Sequence, residues 1–173
     1  MERYAVVLIK PDAIRDVLEE RILRDLQEEA LVTPVFRKFW KVTADIAELL
    51  YPEWIERLVF PAMLYNITQG ESLFVVVRGD DTMYQSLARV KGKMNQGGLR
   101  LKYRAHSIEE WRELGYSGRD LENKIAENRL HTTDTFEEAV FLCKLAFTSD
   151  DLAVIRSVAP RLAQAVRRKA MQL

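Results

Sequence analysis

The hydrophobic pattern along the chain alternates between short apolar runs and stretches of helical period. Tyr4-Ala5-Val6-Val7-Leu8-Ile9 is continuously apolar and partly β-branched, which predicts a buried strand entering the centre of a sheet, ended by Lys10-Pro11-Asp12. Ile14, Leu18, Ile22, Leu26 and Leu31 then recur near helical period with charges between them and predict an amphipathic helix. Val32 to Val42 is rich in Val, Phe and Trp and reads as a strand, with Pro34 marking an edge or a bulge near its start. Thr43-Ala44-Asp45 opens a helix toward Tyr51, and Trp54 to Ile67 carries further helix-period apolar residues, with Pro52 and Pro61 at breaks or first turns.

Ser72 to Val77 is another buried strand, and Gly79-Asp80-Asp81 ends it and caps a helix. Met83, Leu87 and Val90 share a face of that helix, and Gly92 closes it. A Gly97-Gly98 turn precedes a helix-prone stretch from Ser107 to Glu127, opened by a Ser107/Glu110 capping box and divided at Gly115 and Gly118. Thr135 to Ala139 predicts a short helix, Val140 to Phe147 a last apolar strand, and Ser149 onward a helix pair split at Pro160. The order of elements predicts an α+β sandwich, with helices on one face of a mainly antiparallel sheet.

Composition narrows the function classes. The chain is long enough for one domain with a sizeable core, at 48% apolar and 30% charged residues, and no apolar run approaches the roughly 18–20 residues of a membrane span. Cys143 is the single cysteine, so neither a disulfide framework nor a thiolate metal cluster is expected. Lys plus Arg equals Asp plus Glu at 26 each, which argues against nucleic-acid coating and confines any phosphate binding to a local site. The segment Leu152 to Leu173 has no acid and carries Arg156, Arg161, Arg167, Arg168 and Lys169, a charge-only argument for DNA or RNA contact. Met1-Glu2-Arg3 and the short run after it lack a secretion-signal pattern, so a cytoplasmic protein is expected.

Two segments carry chemistry. Lys10-Pro11-Asp12-Ala13 sets an ammonium at the end of a buried strand beside a helix start, a suitable place to meet phosphate. Asn128-Arg129-Leu130-His131-Thr132-Thr133-Asp134 holds one of only two histidines, the other being His106, in a stretch without helical period. Thr133 offers a hydroxyl and Asn128 an amide to an anion, and Asp134 is placed to cap the next helix. Histidine is an uncharged nucleophile near neutral pH, with an ordinary pKa of about 6.5.

Val7-Leu8-Ile9-Lys10-Pro11-Asp12-Ala13 and the Asn128–Asp134 segment, with Glu137 and Ala139 after it, resemble the two ends of the nucleoside diphosphate kinases. Tyr51, Phe60, Gly70, Arg89-Val90-Lys91-Gly92 and Gly98-Leu99-Arg100 fall between them in matching order, so the resemblance spans about residues 3–147. It implies a ferredoxin-like fold with a four-stranded antiparallel sheet and helices packed on it, in a domain over residues 1–148, to which this chain is expected to add a helical insertion near 104–125 and a C-terminal helical extension over 149–173. It also implies ping-pong transfer of a terminal phosphoryl group between nucleotides through His131. Lys10, Arg89 and Arg100 would hold phosphates, Tyr51 would position the histidine or a phosphate, Asn128 would contact the ribose, and Phe60 would stack on the base. Mg²⁺ would arrive with the nucleotide and need no carboxylate cage. A hexamer or tetramer in the cytoplasm is the implied assembly.

The chain departs from the family pattern in several places. Met94 replaces a threonine near the phosphates, Thr132 replaces the glycine after the histidine, and about eighteen extra residues lie between Arg100 and His131. Leu142, eleven residues after His131, replaces a glutamate that orients the imidazole. These departures keep open an alternative: a nucleotide-binding regulatory module that transfers slowly or not at all.

Overall fold

The apolar run near the start forms β1 (Arg3–Ile9), of which every residue after Arg3 is buried. Tyr4, Val6 and Leu8 enter one core while Ala5, Val7 and Ile9 enter another, so the strand is covered on both faces. In the computed structural model, which describes residues 2–93 and 97–170, the chain continues through α1 (Pro11–Arg15), α2 (Glu19–Ala30), β2 (Thr33–Lys41), α3 (Ala44–Leu50) and a 3₁₀ turn at Pro52–Trp54. There follow α4 (Phe60–Thr68), β3 (Glu71–Gly79), α5 (Met83–Lys91), α6 (Gly98–Lys102), α7 (Ile108–Glu113) and α8 (Gly118–Ala126). The described residues end with β4 (Leu130–Thr132), α9 (Phe136–Ala146), α10 (Ser149–Val158) and α11 (Pro160–Ala170).

The four strands form one antiparallel sheet in the order β2-β3-β1-β4. β2 is an edge strand with a register shift between Pro34 and Phe36, as the proline predicts. Helices cover both faces rather than one. Ile22 and Leu26 of α2 with Leu87 and Val90 of α5 fill the core on one side. Ala139 and Leu142 of α9, Ile155 of α10, and Leu162 and Val166 of α11 fill the other. The terminal helices therefore pack back on the sheet domain.

Three elements differ from the sequence reading. The expected single helix from Ile14 to Leu31 breaks at Val17, whose φ of 54° no α-helix accommodates. The expected strand from Val140 to Phe147 overlaps α9, whose residues 140–146 form its greater part; the apolar run, interrupted only by Lys144, reflects a helix packed between the sheet and α11. The fourth strand is instead the three-residue β4, which pairs His131 with Leu8.

The insertion is a helical pair, α7 and α8, opened by the predicted Ser107/Glu110 capping box. Trp111 packs between the His106 and Tyr116 rings with centroids 4.4 and 5.0 Å away. Asn66 of α4 donates to the Asn123 carbonyl at 2.8 Å, docking the pair on α4.

Candidate active site

Position in the sheet decides where His131 sits. β4 pairs with the end of β1, so His131 stands beside the strand that delivers Lys10. The segment before β4 is anchored by Arg129, whose side chain is 1% exposed and whose φ is 66°. Its guanidinium donates to the Asp12 carbonyl at 2.7 Å and the Tyr103 carbonyl at 2.9 Å, and lies 2.7 Å from an Asp16 carboxylate oxygen. The Lys10 N–H donates to the Arg129 carbonyl at 2.8 Å, so the ends of β1 and of this segment are bonded directly.

His131 lines a cleft of about 850 Å³ walled by the ends of β1 and α5, by α3 and the turn after it, and by α9. Lys10, Lys91, Lys93 and Arg100 all line it. The buried Lys10 ammonium donates to Asn128 Oδ1 at 2.8 Å, and burial, with Arg100 nearby, brings its pKa down to about 8. Arg100 donates twice to the Leu130 carbonyl, at 3.0 and 3.1 Å. Lys91 Nζ lies 3.2 Å from Asp134 Oδ1 and 3.4 Å from the Thr132 carbonyl.

The imidazole itself is held on two sides. Its ring meets the Tyr51 ring edge-on at a centroid distance of 5.7 Å. Nε2 is 3.0 Å from Glu138 Oε1, and Glu138 Oε2 accepts the Asp134 N–H at 2.7 Å. Burial holds the imidazole pKa below its ordinary value although the Glu138 hydrogen bond acts in the opposite direction, so the ring is neutral at pH 7. Burial likewise opposes the charged form of Glu138, but its bonds from His131 and the Asp134 N–H outweigh this and its pKa is lowered. The Tyr51 hydroxyl is pushed up by burial and has no hydrogen-bond partner among the described residues.

Among the residues singled out from sequence, Lys10, Tyr51, Arg100, Asn128, His131 and Asp134 meet in this cleft. Others do not. Arg89 is exposed on the far side of α5 and donates to the Glu29 carbonyl at 2.9 Å. Phe60, the first residue of α4, is 6% exposed and packs in the core instead of lining the cleft; besides Tyr51 and His131 itself, the aromatic side chains that do line it are Trp54 and Phe141. Thr133 is fully buried, its hydroxyl accepting the Val6 N–H at 2.9 Å, and so serves the sheet. Thr135 rather than Asp134 caps α9 by accepting the Glu138 N–H. Thr132 is buried and does not line the cleft, nor does any residue of the 104–125 insertion. Met94 lies outside the described residues.

Sequence reasoning missed Glu138 and Lys91. Glu138 stands one helical turn before Leu142, a spacing visible only if the segment is read as a helix. Lys91 is the last residue before the helix-ending Gly92, where α5 points at β4.

Comparison with known proteins agrees with this geometry. The family model described as nucleoside diphosphate kinase matches residues 3–152. A nucleoside diphosphate kinase from Saccharolobus islandicus is 27% identical over 151 residues, covering 84% of this chain and 95% of its own. One from Thermomicrobium roseum is 28% identical over 152 residues, covering 88% and 91%. Among solved structures, the Halobacterium salinarum enzyme in complex with CDP superposes with a TM-score of 0.65 at 22% identity, covering 87% of this chain and 91% of its own. A Borrelia burgdorferi nucleoside diphosphate kinase with bound vanadate and ADP, a transition-state mimic, gives 0.64 at 18% identity, covering 87% and 89%. These two share the ferredoxin-like α+β fold. A family match over residues 3–152, on a chain that brings the end of β1 and the histidine of β4 into one cationic cleft, makes this protein a member of the nucleoside diphosphate kinase family.

Proposed function

We propose that this chain is an active nucleoside diphosphate kinase that works through a phosphohistidine on His131. The observation that carries the reading is a neutral, part-buried imidazole, its side chain 18% exposed, in the same cleft as the cations Lys10, Lys91, Lys93 and Arg100. Phosphoryl transfer needs an aligned nucleophile and positive charge around a dispersed negative one, and the cleft contains both. A lone pair of an imidazole nitrogen attacks the terminal phosphorus of a nucleoside triphosphate. The bond from that phosphorus to the bridging oxygen breaks, and its electron pair leaves with the diphosphate. A second diphosphate reverses the step: its terminal oxygen attacks phosphorus and the electron pair of the N–P bond returns to the ring.

Lys10, Lys91 and Arg100 are the phosphate contacts in this reading, and the unpartnered Tyr51 hydroxyl is a donor waiting for a phosphate oxygen. Trp54 and Met63, which also line the cleft, supply an apolar and base-tolerant surface for the nucleobase. A Mg²⁺ ion would arrive on the nucleotide phosphates and need few protein ligands. Asp134, whose side chain lines the cleft and is 65% exposed, is the residue placed to meet it. When bound, the ion would neutralise part of the phosphate charge. The reading includes nucleoside di- and triphosphates as partners, a homo-oligomer and a cytoplasmic setting; no helix among the described residues is long and apolar enough to cross a membrane.

The other reading, nucleotide binding without transfer, draws on the withdrawal of Arg89 and Phe60 from the cleft. Incubation with labelled ATP and Mg²⁺, followed by addition of GDP, separates the two. An acid-labile phosphoprotein that discharges onto GDP is expected, and it is lost in His131→Ala while nucleotide affinity stays within about threefold. A His131→Ala protein still phosphorylated by ATP overturns the mechanism, and a wild-type protein that binds ATP without becoming phosphorylated favours the binding module.

A further inference from the structure

We infer that Glu138 is the positioning residue for His131, replacing at an earlier turn of the same helix the carboxylate that Leu142 lacks. The inference rests on the phosphohistidine reading above for its function, though not for its geometry. Glu138 is the third residue of α9, whose N-cap is Thr135. Its carboxylate is fixed at two points: Oε1 on His131 Nε2 at 3.0 Å and Oε2 on the Asp134 N–H at 2.7 Å. Thr135 Oγ1 accepts the Glu138 N–H at 3.1 Å, which fixes the backbone that carries it. Two hydrogen bonds to one planar group leave it little freedom to rotate, so the imidazole plane is set by the start of a helix rather than by a mobile side chain.

A charged carboxylate can only accept a hydrogen bond, so a neutral His131 must carry its proton on Nε2. The lone pair is thereby kept on Nδ1, and Nδ1 is assigned as the nucleophile. In the transfer step the Nε2 proton stays where it is while the N–P bond forms at Nδ1, and the positive character that develops on the ring is met by Glu138. Positions 138 and 142 are one turn apart, about 6 Å along the axis, so both face the same side of α9. Leu142 is 1% exposed and belongs to the core while also reaching the cleft wall. The apolar residue at 142 thus completes packing, and the charge at 138 holds the ring from the half-buried helix end, where an ion is more easily solvated.

The test uses two variants, Glu138→Gln, which keeps the shape, and Glu138→Ala, with exposed Glu137→Ala as the control. Two-bond ¹H–¹⁵N correlation spectra of the histidine-labelled protein report the tautomer and titration of His131 directly, with no turnover needed. The wild type and Glu137→Ala are expected to show the Nε2–H form. Both Glu138 variants are expected to gain the Nδ1–H form and to titrate at lower pH, because a neighbouring negative charge that favours imidazolium is gone. Phosphoprotein formation should fall roughly 10- to 100-fold in both, the range for partners that fix tautomer and ring direction, with nucleotide affinity within about threefold. Unchanged His131 tautomer and titration in both variants overturns the inference. A wild-type protein that never becomes phosphorylated defeats only the phosphohistidine reading, and the spectra then decide the role of Glu138 alone.

Discussion

Lys91 reaches across the mouth of the cleft to Asp134, Nζ to Oδ1 at 3.2 Å, while Arg89, two residues earlier on α5, turns away and bonds the Glu29 carbonyl at 2.9 Å. Two residues on a helix are separated by about 200° of rotation, so only one of these cations can face the site. Val90 between them is buried in the core and fixes which one does. Lys91→Ala is therefore expected to weaken nucleoside di- and triphosphate binding about 10- to 100-fold, the worth of a charge-assisted contact, with nucleoside binding little changed. Arg89→Ala should leave both nearly unaltered. Calorimetric titration with ADP and adenosine checks this; equal loss for both ligands in Lys91→Ala would remove Lys91 from the phosphates.

The pH dependence follows from two lowered pKa values. His131 must be neutral to attack, and burial holds its pKa below the ordinary value, so kcat/KM should rise with pH on the acid side with a midpoint below that of an ordinary histidine. Lys10 must be charged to meet phosphate, and its pKa of about 8 means that the ammonium is lost as pH rises through that value. The alkaline limb should then fall about tenfold per pH unit. A rate that stays level from pH 7 to 9.5 would show that Lys10 does not titrate in that window.

The fold was legible wherever the local pattern and the tertiary surroundings agreed. The continuous run in β1, the bulge at Pro34, the Gly92 stop of α5 and the Ser107/Glu110 box all appear as the sequence predicts. The apolar segment from Val140 to Phe147 was misleading because α9 is packed on more than one side, which erases the polar stripe that distinguishes a helix from a strand. The same error hid Glu138, since only a helix brings positions 138 and 142 onto one face. The main cleft residues Lys10, Asn128 and His131 were legible as motifs. Arg89 and Phe60 stand outside the cleft, because which side of a helix faces a cleft depends on neighbouring residues such as Val90 and not on the motif itself.

Arg129 supports the site from beneath. Replacing it with Met would leave the carboxyl groups of Asp12 and Asp16 without their buried cation and keep a non-glycine residue at a φ of 66°. Breaking a buried ion pair by removing one partner costs about 3–5 kcal/mol, so the urea midpoint should fall markedly. A substitution that lowers the unfolding free energy by less than about 1 kcal/mol would show that water or another side chain replaces the guanidinium.

Leu142→Glu tests from the opposite side whether the site lacks an orienting carboxylate. If it did, adding a glutamate at the position where the family has one would raise the transfer rate. His131 Nε2 is already engaged by Glu138 at 3.0 Å, and the new group would stand one turn from that carboxylate on the same helix face, where like charges repel. It would also replace a side chain that is 1% exposed and part of the core. Burying a carboxylate without a partner outweighs any gain in ring alignment, so the variant is expected to lose about 3 kcal/mol of stability and to show no increase in phosphoprotein formation. Urea unfolding and single-turnover labelling with ATP measure the two effects separately. A stable Leu142→Glu protein that transfers tenfold faster than wild type would mean that Glu138 leaves the imidazole poorly held, and that the turn occupied by Leu142 is the one from which the ring is best oriented.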